Sequence, residues 1–89
     1  MIEDIIRMMQ ELRANMESNI PLLEMKIDLI IESKEISPKK IEGLLDILLD
    51  YMYAGVGEDQ FKKLNSYYSS FNPEYSAEYD KFYHELLSE

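Results

Sequence analysis

The single histidine, His84, stands four residues after Asp80. On a helix that spacing puts both side chains on one face. Two ligands begin a metal site, but zinc takes at least three protein ligands. The chain has no cysteine and no second histidine to complete the set, so no metal and no other cofactor is expected. His84 reads instead as an exposed imidazole near a helix C-terminus, where the helix dipole favours positive charge. A serine nucleophile would need a base, His84 is the only histidine to serve as one, and nothing in the sequence points to a lysine or carboxylate in its place. Gly55-Val56-Gly57 lacks the further glycine and the lysine of a nucleotide-binding loop. The acids match no calcium-loop spacing. The sequence therefore predicts a protein without catalytic activity.

The tyrosines carry more information. All seven Tyr and all three Phe fall between Tyr51 and Tyr83, whereas the first fifty residues rely on Ile, Leu and Met. Tyr67 and Tyr68 are neighbours, as are Phe82 and Tyr83, and consecutive helical side chains diverge by about 100°. Both members of such a pair cannot face one core. Tyr53 also falls off the main apolar stripe of its helix. Some rings are thus expected at the surface among Glu74, Glu78, Asp80 and Glu85. Rings with polar tips suit binding surfaces, because each offers a large contact area at low entropic cost. The partner-binding residues expected on these grounds are Tyr53, Tyr67, Glu74, Tyr75, Glu78, Tyr79, Asp80 and Tyr83. The structural alternative is a small core with tyrosine at its rim, ring inside and hydroxyl in water.

Nine Lys and Arg against eighteen Asp and Glu give a formal net charge of −9. Residues 1–54 carry −5 and residues 55–89 carry −4, so the charge is spread along the chain. Such a surface repels phosphate backbones, which argues against direct nucleic-acid binding, and it steers basic partners inward. The function expected is a small acidic helical interaction module, an adaptor or regulatory subunit that contacts a protein with a basic surface. The alternative is an inhibitor or immunity-type protein that binds a basic, nucleic-acid-handling target by presenting carboxylates where phosphates would lie.

The elements that must position these residues are all helical. Ile2, Ile5, Met9, Leu12 and Met16 step by three and four, as on an amphipathic helix, with Glu3 and Asp4 in the first turn. Ile6 and Met8 widen the stripe; the methionines read first as core filling, and the alternative is a face wider than one neighbour covers, which would suit self-association as a homodimer. Pro21 interrupts the pattern, because it has no amide hydrogen and its ring crowds the carbonyl four residues back. With Asn19 as a cap, the sequence favours a break there and a second helix that begins at Pro21; the alternative is one long helix kinked at Pro21, since the apolar steps stay in phase across it. Leu22 to Ile31 is apolar nearly all round, which marks it as the central, many-sided helix. Ser37-Pro38 opens the next helix, which runs to about Ala54, with Ile41, Leu44, Leu45 and Leu48 on one face. Gly43 within it either permits a close helix–helix approach or is simply tolerated at a cost of roughly 1 kcal/mol against alanine. Gly55-Val56-Gly57 makes a turn. A helix with Phe61, Leu64, Tyr68 and Phe71 on its stripe follows, and Asn72-Pro73 opens the last one, to about Leu87, with Tyr75, Tyr79, Phe82, Tyr83 and Leu86 on its stripe.

No stretch alternates with the period of a strand. At 89 residues the expectation is one all-α domain, a compact bundle of four to five short helices. Glu3 and Asp4 stand where a secretory leader carries positive charge, and no uncharged run approaches the ~20 residues of a membrane span. A cytoplasmic protein without membrane contact is expected.

Overall fold

The computed structural model of the chain describes residues 1–88, which form four α-helices and no strand. Helix α1 spans Ile2–Glu32, α2 Pro38–Tyr53, α3 Glu58–Ser69 and α4 Pro73–Leu87.

The turns follow from the residues at them. Ser37 accepts the amide of Lys40 at the start of α2, with Pro38 in the first turn, so one free amide is capped and the other is absent by construction. Beyond α2, Gly55 adopts a left-handed conformation (φ 76°). Its amide donates to the Met52 carbonyl and the Val56 amide to that of Tyr51, the two bonds of a Schellman stop. The same pair of bonds closes α1, from Lys34 to Ile31 and from Glu35 to Ile30, with Lys34 taking the left-handed position (φ 55°). Gly57 is left-handed as well (φ 89°), and a Cβ there would lie 3.4 Å from Leu48.

Two expectations about α1 are corrected. The helix runs through Pro21 without a break. Asn19, expected as a cap, instead donates its side-chain amide to the Tyr51 hydroxyl at 3.2 Å. The apolar steps stay in phase across Pro21, so Ile20, Leu23, Ile27 and Ile30 all reach the core. Burying that row offsets the one backbone bond that proline removes. Nor is Leu22 to Ile31 the central helix. Leu23 and Ile27 are buried, but Leu22, Met25 and Leu29 on the opposite face are exposed.

The centre is α3, which packs on each of the other three helices. It buries Phe61, Leu64, Asn65 and Tyr68 among Ile41, Leu45 and Leu48 of α2 and Tyr79 and Tyr83 of α4. Asn65 and Ser76 are the buried polar pair: Ser76 donates to the Asn65 carbonyl and side-chain oxygens, and the Asn65 amide donates to the Ser76 carbonyl. Among the described residues no buried side-chain polar atom lacks a partner. Gly43 has nothing near it, so it permits no close helix approach.

The bundle is not fully compact. The radius of gyration is 14.4 Å, against about 12 Å for a globular chain of this length. The long axis, 48 Å, matches the ~46 Å of a 31-residue helix. Helix α1 docks on the bundle only from about Met16 onward. Every residue from Met1 to Asn15 is exposed, so the first half of α1 forms an arm that projects beyond the other three helices.

Candidate protein-binding groove

The four-residue steps of α2 place Glu42, Asp46 and Asp50 along one edge of that helix. Glu78 and Glu85 lie along the facing edge of α4. Between them runs a groove made of two depressions of about 280 and 410 Å³ that meet at Phe82. Pro38, Tyr75 and Tyr79 line one end, and Leu49, Tyr53 and Leu86 the other. Neither depression is lined by Lys or Arg. The floor is apolar and the rim is acidic.

The rings in this groove divide by exposure. Tyr53 is 73% exposed, Tyr75 49% and Phe82 48%. Tyr79 is only 8% exposed. Its hydroxyl donates to the Asp46 carboxylate at 2.8 Å, and burial, followed by that carboxylate, pushes the phenol above its ordinary range. Tyr68 is wholly buried behind the groove and donates to Glu42. Burial and then Glu42 raise its phenol in the same direction. Asp46 and Glu42 are thus each anchored by a tyrosine hydroxyl, which fixes the rim of the groove in place.

The residues expected to bind a partner are not all brought together. Tyr53, Tyr75, Glu78 and Tyr79 line the groove, and Glu74 is exposed one turn before Glu78. Asp80 and Tyr83 fall on the other side of α4, where α4 meets α3. Tyr83 is 8% exposed and stacks on Phe61 at 5.7 Å. Its hydroxyl donates to Glu58, which holds that carboxyl below its usual range with help from Lys62. Asp80 lies 3.4 Å from His84 in an exposed i,i+4 pair. Tyr67 is half-buried and donates to the Glu35 carbonyl at 2.7 Å, which ties α3 to the loop before α2. Tyr79, Tyr83 and Tyr67 therefore have their rings inside and their hydroxyls bonded to protein, and are not surface rings.

Sequence reasoning missed Phe82, Glu42, Asp46 and Asp50. A signal existed: the α2 acids sit opposite that helix's own apolar stripe at four-residue steps. Nothing in the sequence said that α4 would lie alongside them. Among the described residues no cluster of three or more His, Asp or Glu could hold a metal ion, and no helix is long and apolar enough to cross a membrane. The chain matches no family model, no curated protein and no solved structure.

Proposed function

We propose that this protein is a small acidic interaction module, an adaptor or regulatory subunit without catalysis, and that it holds a basic segment of a protein partner in the α2/α4 groove. One observation supports this reading above the rest. Five carboxylates rim a groove whose floor presents the exposed rings of Tyr75, Phe82 and Tyr53, with no base among its lining residues. Lysine and arginine stems pack on rings while their charges meet the rim carboxylates. The net charge of −9 adds long-range attraction for such a partner.

The test starts with capture of partners by the full chain from its native cell, followed by titration of the captured partner. Tyr75→Ala and Phe82→Ala are expected to weaken binding by about 1–3 kcal/mol each, as truncated interface aromatics do. Glu78→Gln with Glu85→Gln should slow association and flatten its salt dependence. Unchanged binding by both sets of variants would remove the groove from the function. The inhibitor reading is distinguished by the same titration. Phosphate mimicry requires that the captured protein handle nucleic acid and that nucleic acid compete for it.

A further inference from the structure

The arm of α1 carries an apolar stripe that none of the described residues covers. Ile2, Ile5, Ile6, Met8, Met9 and Leu12 are all exposed. At 100° per residue they fall in one arc roughly 160° wide, interrupted only by Arg13. Glu3, Asp4, Arg7, Glu11 and Glu17 occupy the other side. The same row of positions, continued past Pro21, is the one that seats Leu23 and Ile27 in the core. One stripe therefore runs the length of the helix, and the bundle covers only its second half.

We propose that the occupant of the uncovered half is the arm of a second copy, laid antiparallel, so that the protein is a twofold dimer. Three observations select this occupant. The first is area. The chain exposes 6366 Å², whereas a folded monomer of its mass exposes about 5,400 Å². The excess, roughly 1,000 Å², is of the order of the ~800 Å² that each partner hides in an interface of standard size.

The second is shape. The arm and the end of α2 enclose an open notch of about 620 Å³, lined on one side mainly by Ile6, Met9, Leu12 and Met16, with Arg13 among them, and on the other by Asp50, Tyr53 and Ala54. A helix laid there touches two elements at once, which is what an arc wider than a two-helix seam requires. A twofold axis makes the contact mutual, each arm filling the other's notch.

The third is charge. Residues 1–15 carry three acids and two bases, so only −1 of the chain's −9 lies on the arm. Antiparallel arms hold the two strongly negative bundles at opposite ends, while parallel arms would set them side by side. The acidic polar face also suits a lipid surface poorly, because anionic headgroups attract basic helices. In the antiparallel register Met9 faces Leu12 of the partner subunit, and Ile5 faces the partner's Met16.

The full chain is tested by sedimentation equilibrium at about 50 μM, above the micromolar Kd of even a weak standard interface. The expected mass is twice 10.5 kDa. Met9→Glu should halve that mass, a loss of affinity of about 100-fold or more, with circular dichroism of the bundle retained. Met25→Glu, in the exposed patch on the opposite face of α1, should leave the dimer intact. A monomeric wild-type chain, or a dimer lost on Met25→Glu and kept on Met9→Glu, would overturn the proposal. So would phosphatidylcholine vesicles that bind the chain through the arm in preference to pairing. Orientation is read from an oxidised mixture of Ile5→Cys and Met16→Cys chains, which is clean because the protein has no cysteine. Mixed disulfides are expected in excess, and predominant Ile5→Cys homodimers would mean parallel arms. The notch and the α2/α4 groove share only Asp50 and Tyr53 as lining residues, and the variants that test the two surfaces share no residue.

Discussion

Tyr68 and Tyr79 do two things at once: each fills the core with a ring and anchors a rim carboxylate of the groove with a hydroxyl. Both phenols lie above their ordinary value of 10.0 in the folded protein, mainly through burial. The folded state then holds these protons more tightly than the unfolded state does. The stability they contribute is fully present below about pH 10 and is lost as pH rises through the folded values. Spectrophotometric titration of tyrosinate should therefore show two phenols that ionise late, in step with the loss of helical circular dichroism. Tyr68→Phe combined with Tyr79→Phe should remove that late step. Simple early ionisation of both, with the helices intact, would contradict their burial. The sequence placed Tyr68 and Tyr79 on apolar stripes. It could not say that their hydroxyls would meet Glu42 and Asp46, because those pairs are 26 and 33 residues apart.

Helix by helix, the sequence located most of the ends. Ser37-Pro38, Gly55 and Asn72-Pro73 act locally, through a cap, a left-handed turn and a missing amide hydrogen, and each stands where its chemistry predicted. Pro21 did not act locally. Its helix continues because the flanking row Ile20, Leu23 and Ile27 is held by α3, and tertiary packing outweighs a local defect. Two cross-links add to that docking: Gln60 donates to Glu24 at 2.7 Å and Lys63 to Asp28 at 2.7 Å. Pro21→Ala should restore the missing backbone bond and stabilise the protein by roughly 1–3 kcal/mol, net of the freedom gained by the unfolded chain. The urea midpoint reads this directly. A midpoint that falls would mean the proline shapes α1 for its docking.

Taken whole, the molecule is a four-helix bundle that the first half of α1 overshoots. Residues 1–15 contribute no buried side chain, so a chain that lacks them should keep its near-ultraviolet tyrosine signals. Measured as monomer, its unfolding free energy should change by less than about 0.5 kcal/mol. Loss of the tyrosine signals would show that the arm supports the core. By itself the sequence determined the helical class, the turn positions, the acidity and the apolar stripe of the first helical segment, since each depends on residue type and spacing within a few turns. Only the tertiary structure decided that α3, the shortest helix, is the centre, and that Tyr79 and Tyr83 are core. It also decided that α2 and α4 align their acids across one groove. Those outcomes depend on which faces meet across long loops of chain, and a periodic pattern specifies that a face is apolar without specifying what covers it.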